Sequence, residues 1–140
     1  MTRRLFYLVA ALTLACAGCG DAGGKLYPVS GKVTYKGGPA IGAFVFLLRK
    51  GVDPLDEQSI MGVVQEDGSF TVVCDVKGQG APLGKYGVLI KWPQNAGPKK
   101  GLSHKNPDRL KGRYADPKHP PWSVEIRAEP NELPIFELTD

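Results

Sequence analysis

Apolar and polar residues alternate along several short stretches of the chain, and this pattern predicts β-strands. A period of two places every second side chain on the same strand face, which is typical of a sheet with one buried face. We expect strands of this kind at residues 29–35, 69–76, 86–92, 122–127 and 133–138. Pro134 near the start of the last stretch indicates an edge position or a strand end. No stretch shows the apolar spacing of a convincing amphipathic helix.

One stretch is apolar on both faces and therefore predicts a strand in the middle of the fold. Residues 43–48 read Ala-Phe-Val-Phe-Leu-Leu, and their aromatic and β-branched content favours strand over helix. Asp67 and Gly68 stand between the apolar runs 59–64 and 69–76. Because Asp-Gly readily forms the tight turns that join antiparallel strands, we expect a β-hairpin here.

The alternation also predicts which side chains form the core. The expected core residues share the apolar face of an alternating strand: Phe70, Val72, Cys74, Tyr86, Val88 and Ile90. The strand at 86–92 is predicted to have only one buried face, with the intervening residues facing outward. Since Cys74 follows Val72 on this face, we interpret it as a small buried hydrophobe rather than a reactive thiol.

Composition agrees with a fold made of strands and turns. Eighteen glycines and twelve prolines among 140 residues favour many turns and argue against long helices. About seven short strands with frequent turns predict an all-β fold, an antiparallel seven-stranded β-sandwich of Ig-like type. We expect this sandwich to occupy residues 27–140 as a single domain.

The N-terminus has the character of an export signal. Arg3 and Arg4 precede an apolar stretch at 5–15, which falls short of the roughly 18 residues that a spanning helix needs. Small residues then lead into a cysteine, which resembles the lipobox of bacterial lipoproteins. The resemblance implies a lipoprotein signal peptide at 1–18 and a lipidated cysteine with a glycine-rich tether at 19–26. The protein is then exported and anchored on the cell envelope, at its periplasmic face or at the cell surface.

Two cysteines compete for the lipid. Cys19 follows the small pair Ala17-Gly18, which the lipobox favours, and is preferred. Cys16 is the alternative, although the bulky Leu14 stands where a small residue is usual. An ordinary cleaved secretory signal remains a third interpretation. Asp21 after Cys19 resembles an inner-membrane retention signal, but the membrane and its leaflet stay open.

Several short phrases of the predicted domain resemble carboxypeptidase regulatory-like domains, also called transthyretin-like. Asp67-Gly68-Ser69-Phe70 matches their D-G-x-F hairpin. The other matching phrases lie at 31–33, 38–45, 83–88, 113–117, 124–126 and 131–133, and together they span most of residues 27–138. The chain departs from the pattern at Val64 and Gln65, where Thr and Asp are frequent, and at His119, where small hydroxyl residues are common.

This resemblance implies a prealbumin-like sandwich that is an accessory module and not an enzyme. The transthyretin fold also includes a hydroxyisourate hydrolase, which needs several histidines, an arginine and a C-terminal Tyr-Arg-Gly-Ser. This chain has two histidines and ends in Phe-Glu-Leu-Thr-Asp, so we keep hydrolysis only as a third alternative. Ser103, His104 and Asp108 are close in sequence, but sequence proximity is not triad geometry.

Metal and cofactor binding are not expected either. His104 with Asp108, and His119 with Asp116, are local pairs without the Cys pairs or His spacing of zinc sites. Residues 65–68 lack the D-x-D-x-D-G spacing of a calcium loop. We therefore predict no metal and no cofactor.

Charge is unevenly distributed along the chain. The stretch from Lys85 to His119 carries nine lysines and arginines against two acids, whereas residues 51–76 carry six acids and no base. Half of the twelve prolines lie at 93–121, which predicts a long basic loop on the strand scaffold, the proline-rich loop. The formal net charge is only +4 and includes Arg3 and Arg4, so we expect no nucleic-acid partner.

The proline-rich loop and its end are the candidate binding surface, which we predict to comprise Lys99, Lys100, Lys105, Arg109, Lys111, Arg113, Tyr114 and Trp122. The expected partner is anionic: a polysaccharide, a lipid headgroup or an envelope protein. The alternative is that these charges only keep the loop solvated.

We therefore expect a lipid-anchored, non-catalytic envelope module with a structural or binding role. The second hypothesis is a carbohydrate-binding accessory domain, with Trp92, Tyr114 and Trp122 as stacking platforms. The oligomeric state is left open by the sequence.

Overall fold

The computed structural model describes residues 24–50, 59–75, 77–96 and 106–140. Within these ranges the chain is all-β, with strands and turns but no helix. The predicted signal peptide at 1–18 lies outside the described residues. So do both lipidation candidates, Cys16 and Cys19, and three residues of the candidate surface, Lys99, Lys100 and Lys105.

Ten strands occur in the described part of the chain. They are β1 (Val29–Tyr35), β2 (Gly38–Pro39), β3 (Phe44–Arg49), β4 (Ile60–Val63), β5 (Ser69–Cys74), β6 (Gly78–Gln79), β7 (Gly84–Lys91), β8 (Trp122–Ile126), β9 (Asn131–Glu132) and β10 (Phe136–Leu138). Seven of them form a hydrogen-bonded path in the order β10-β1-β5-β4-β3-β7-β8. The short strands β2 and β9 pair with β1, and β6 pairs with β5.

The sheet is curled, so that its two ends face each other across the core. Trp122 belongs to β8 and Phe136 to β10, which lie at opposite ends of the strand order. Their ring centroids are nevertheless 4.9 Å apart, and Phe136 also stacks on Phe70 of β5 at 6.4 Å. Curling closes the apolar face on itself, which is how a single sheet of this size buries a core.

The predicted hairpin and central strand are both present. β4 and β5 pair antiparallel with Met61 opposite Val73. Gly68 in their turn has a φ of 84°, a left-handed conformation that glycine adopts at little cost. β3 lies between β4 and β7, so both of its edges are paired. Val45 and Leu47 are buried on one face, and on the other face Phe44 is buried while Phe46 and Leu48 are half-buried.

The predicted core residues are buried. Phe70, Val72, Cys74, Tyr86, Val88 and Ile90 are each at most 1% exposed and belong to one hydrophobic cluster. The burial of Cys74 supports its interpretation as a core residue. Among the described side chains, no buried nitrogen or oxygen lacks a hydrogen-bond partner, so the core is closed without stranded polar groups.

The prediction that residues 86–92 have one buried face was wrong. Gly87 is buried and Leu89 is only 7% exposed, although both alternate with the core positions. A Cβ on Gly87 would lie 2.6 Å from Cγ of Pro120, so the end of the proline-rich loop packs on this second face. The alternation identified the inner face correctly, but it carried no signal for the segment that covers the outer face.

The predicted last strand at 133–138 is shorter than expected, since only β10 lies within it, and the short β9 comes before it. β9 and β10 are separated by residues 133–135, so Pro134 lies between strands, as its missing N–H favours. Both strands run parallel to β1, with Val29 opposite Asn131 and Val33 opposite Phe136. The sheet is therefore mostly antiparallel rather than wholly so.

In the ranges that the structure describes, no helix has the length and apolarity that crossing a bilayer requires.

Candidate functional site

Asp108 organises the described part of the proline-rich loop. Its carboxylate accepts hydrogen bonds from the backbone N–H groups of Trp92 at 2.9 Å, Gly112 at 2.7 Å and Leu110 at 3.3 Å. The first of these bonds joins the loop to the end of β7, and the other two close a turn. The turn passes through left-handed backbone at Lys111 (φ 54°) and at Gly112 (φ 78°).

The loop is also attached through its backbone and through one apolar side chain. Arg109 N–H donates to the carbonyl of Trp92 at 2.7 Å, and Gln94 N–H donates to the carbonyl of Pro107 at 3.1 Å. Leu110 is 8% exposed and belongs to the core cluster. A single apolar residue between charged neighbours has no periodicity, so sequence reasoning missed this anchor.

A concavity of about 630 Å³ lies between the end of β7 and this turn. We call it the basic notch, and its lining residues are Lys91, Gln94, Asn106, Pro107, Asp108, Lys111, Gly112 and Ala115. Lys91 and Lys111 bring two ammonium groups to it, and Gln94 and Asn106 bring two amides. Of the predicted site residues, Lys111 lines the notch. The amides were missed because isolated Gln and Asn residues carry no pattern in a sequence.

The two acids in the described part of the loop are both engaged locally. Asp108 binds the three backbone N–H groups, and Asp116 accepts bonds from Lys118 N–H at 2.9 Å and from Nδ1 of His119 at 3.0 Å. The bond to His119, followed by the one to the Lys118 backbone, holds the pKa of Asp116 below its usual value. The loop's cations, in contrast, are exposed: Arg109, Lys111, Arg113 and Lys118.

Two arginines of the predicted surface, both in the described part of the loop, lie over different aromatic rings. Arg109 lies over the ring of Trp92, with its guanidinium carbon 4.1 Å from the centroid, and donates to the carbonyl of Gln94 at 3.2 Å. Arg113 lies near Tyr114 instead, at 5.9 Å from the ring centroid. Among the described cations, Arg109 therefore lies at Trp92, Arg113 at Tyr114, and Lys111 at the notch.

The aromatic side chains at the loop ends are used for packing. Trp92 is 5% exposed and contacts Tyr35 edge-on, with the ring centroids 5.2 Å apart. Its indole N–H donates to the carbonyl of Ile41 at 2.9 Å. Trp92 is thus closed to a stacking ligand, which contradicts its predicted use as a stacking platform.

Tyr114 and Trp122 stack on each other with ring centroids 5.3 Å apart and planes 12° from parallel. Trp122 in turn contacts Phe136 in the core. The hydroxyl of Tyr114 lies 3.2 Å from Oγ1 of Thr139 and accepts a bond from Thr139 N–H at 3.1 Å. The side-chain bond to Thr139 is the main cause that lowers the pKa of Tyr114. The pair is half-buried and ties the loop end to the edge of the sheet.

Metal ligands are not assembled in the described residues. No group of three or more His, Cys, Asp or Glu side chains there is arranged to hold an ion. The pair formed by His119 and Asp116 contributes only two donors and stays on the surface.

Comparisons with known proteins add little to this geometry. No family model matches the chain, and no curated protein matches it significantly. A crystal structure of a DUF3823 family protein from Parabacteroides merdae is similar at a TM-score of 0.38 and 15% sequence identity. The similarity covers 83% of this chain and 45% of that protein, so the present chain spans less than half its length. Identity and TM-score at these levels carry no functional argument.

Proposed function

We propose that the protein is an exported, lipid-anchored, non-catalytic module of the cell envelope that binds an anionic partner through its proline-rich loop. One observation carries the binding part of the proposal. The described part of the loop carries four exposed cations against two acids, of which Asp116 is exposed and Asp108 is half-buried and bonded to three backbone N–H groups. A surface with this imbalance attracts anions and raises their local concentration.

The ion pairs support the same interpretation. Within the described ranges they are Lys36 with Asp140 and His119 with Asp116. Lys111 and Lys118 take part in neither, so their charge is available to a partner. Their contribution to folding should be small, since exposed charges contribute little to stability.

The fold is consistent with a prealbumin-like scaffold. In this proposal the curled sheet is a variant of the seven-stranded sandwich of carboxypeptidase regulatory-like domains, with the loop as an added binding element. The family resemblance favours a non-catalytic role. A carbohydrate module that stacks sugars on aromatic rings is less well supported, because Trp92 is buried and Tyr114 and Trp122 cover each other.

Association of the full chain with anionic surfaces tests the binding proposal. The probes are vesicles containing phosphatidylglycerol, and polygalacturonate as an acidic polymer, each at several salt concentrations. The variant Lys111→Glu/Lys118→Glu should lose most of the association. Wild-type association should weaken with salt, because exposed charges are screened over about 10 Å at 0.1 M.

The matched control is Lys50→Glu/Lys77→Glu, which makes the same charge change at two exposed lysines elsewhere in the fold. This control should bind as the wild type does. If both variants lose the same share of the association, or if wild-type association does not change with salt concentration, the loop is not the binding surface.

Lipid anchoring has its own test, because it depends on residues outside the described ranges. Intact-mass spectrometry of the membrane fraction should show a chain that begins at Cys19 and carries acyl groups. Several acyl chains, at about 0.8 kcal/mol per buried methylene, hold a protein stably on a membrane. Cys19→Ser should abolish the added mass and Cys16→Ser should not. The reverse result transfers the assignment to Cys16, and no added mass in the wild type rules out the anchor.

A further inference from the structure

The basic notch offers two kinds of polar group side by side. Lys91 and Lys111 bring positive charge, while Gln94 and Asn106 bring neutral amides. Within the described ranges, none of these four side chains has an ion-pair or hydrogen-bond partner in the protein. They are therefore available for a ligand, which has to replace only water.

Asp108 also lines the notch, and its carboxylate offsets one of the two lysine charges and leaves a net positive charge. Its carboxylate already accepts the N–H groups of Trp92, Leu110 and Gly112. These bonds spread part of its negative charge over the backbone of the turn, and they fix the position of the carboxylate. The notch thus combines a turn held by three hydrogen bonds with the side chains of Lys91 and Lys111.

The amides distinguish between classes of anion. The side-chain amide of Gln or Asn carries a hydrogen-bond donor and an acceptor. A sugar hydroxyl can also donate and accept, so an amide can bond to sugar hydroxyls through both of its ends. A phosphate or sulfate group takes donors only and is best met by cations and N–H groups. A phosphate group that carries no hydroxyl leaves the carbonyl oxygens of Gln94 and Asn106 without a donor, whereas a charged sugar uses the lysines and both ends of each amide.

We infer that the basic notch is a subsite for one acidic sugar residue of an anionic polysaccharide, an inference that rests on the proposed function and names its ligand class. Lys91 and Lys111 meet the sugar carboxylate, and Gln94 and Asn106 meet its hydroxyls. Pro107 and Ala115 supply apolar surface for the C–H face of the ring. The volume of about 630 Å³ lies within the range of about 300–1,000 Å³ that is usual for small-ligand sites.

This recognition differs from stacking on aromatic rings. None of the described residues that line the notch is aromatic, and Arg109 covers the ring of Trp92. Specificity then comes from charge and from hydroxyl hydrogen bonds. We expect modest affinity for a single sugar and stronger retention of a polymer that presents many copies.

The test compares two ligands with two pairs of variants in the full chain. Oligogalacturonate is the sugar probe, vesicles containing phosphatidic acid, whose headgroup has no sugar-like hydroxyl, are the phosphate probe, and glycerol phosphate and galacturonate are the competitors. Gln94→Ala/Asn106→Ala keeps the net charge and should lower oligogalacturonate affinity by about tenfold, as the loss of two neutral hydrogen bonds predicts. The same variant should leave vesicle binding unchanged.

Asn95→Ala/Gln79→Ala is the matched control, since both residues are exposed and neither lines the notch. It should bind both probes as the wild type does. Lys91→Gln/Lys111→Gln should weaken binding to both probes. Unchanged thermal melting of every variant is required before its affinities are compared.

The outcomes separate the sugar subsite from the wider proposal. If the amide variant binds oligogalacturonate normally while the lysine variant loses both probes, the sugar subsite is wrong and the anionic partner stands. If glycerol phosphate competes and galacturonate does not, the ligand is a headgroup and the inference is overturned. If the lysine variant keeps both probes, the notch is not a binding site. If the Lys111→Glu/Lys118→Glu variant also binds normally, the proposed function fails with it.

Discussion

The guanidinium group of Arg109 covers the indole ring of Trp92, with its central carbon 4.1 Å from the ring centroid. The two residues are also joined through their backbones, because Arg109 N–H donates to the carbonyl of Trp92 at 2.7 Å. One residue of the loop is thereby fixed to the end of β7 through both its side chain and its main chain. Arg109, predicted as a ligand-binding residue, is also a structural contact.

Replacing Arg109 by alanine is expected to destabilise the protein slightly. A cation over an aromatic ring at an exposed site contributes about 0.5–1 kcal/mol, and this contribution is lost. Trp92 fluorescence should shift as its ring gains contact with water, which is best followed in a Trp122→Phe background. Arg113→Ala is the control, because Arg113 lies farther from its ring, at 5.9 Å from the centroid of Tyr114. Equal effects of the two substitutions would contradict a specific role for the Trp92 contact.

Replacing Asp108 by alanine should cost more. The change leaves the N–H groups of Trp92, Leu110 and Gly112 without their shared acceptor. Loss of a charged acceptor from part-buried donors costs about 1–3 kcal/mol, to be measured as the urea dependence of unfolding. Asp116→Ala removes an exposed loop carboxylate as the control and should change stability by less than about 0.5 kcal/mol. A smaller effect of Asp108→Ala than of this control would show that water replaces the carboxylate.

Acid should weaken the β4–β5 turn through Asp67. Its carboxylate accepts bonds from the hydroxyl of Ser69 at 2.6 Å and from Ser69 N–H at 3.0 Å, which lower the pKa of Asp67. A carboxyl group whose pKa is lower in the folded than in the unfolded protein stabilises the fold at pH values above its unfolded pKa of about 3.9. This stabilisation is lost as the pH falls through the folded pKa. The loss of stability is therefore expected below about pH 4.

Asp67→Asn keeps a good turn residue but removes the titration. The urea midpoint of this variant should fall less steeply between pH 6 and pH 3 than that of the wild type. Glu66→Gln removes the neighbouring carboxylate instead and is expected to follow the wild-type curve. If the two variants have the same pH dependence, the Ser69 bonds are not the source of the acid sensitivity.

Phe136 holds the two ends of the curled sheet together. It is fully buried and contacts both Trp122 and Phe70. Phe136→Ala should destabilise by about 3–5 kcal/mol, since it removes a large core side chain and leaves a cavity. Ile135→Ala changes the adjacent residue, which is 62% exposed, and should cost little. Similar unfolding free energies for the two variants would place Phe136 outside the core.

The sequence by itself determined the local features of the β4–β5 hairpin. Asp67-Gly68 specifies a tight turn through its own backbone preferences, and Phe70 and Val72 mark the inner face by alternation. These signals depend on neighbours along the chain, so they can be interpreted without knowing the fold. Burial on both faces of β3 was predictable for the same reason, because a strand that is apolar on both faces has to be covered on both.

Only the tertiary structure decided what covers each strand and where the loop is anchored. Gly87 and Leu89 are buried on the second face of β7, where Pro120 from a distant segment packs against Gly87. Leu110 enters the core without any apolar period around it. The notch likewise depends on Lys91 and Lys111 meeting across the turn that Asp108 fixes. Alternation reports which face of a strand is apolar, whereas contacts between distant segments depend on how the whole chain folds back on itself.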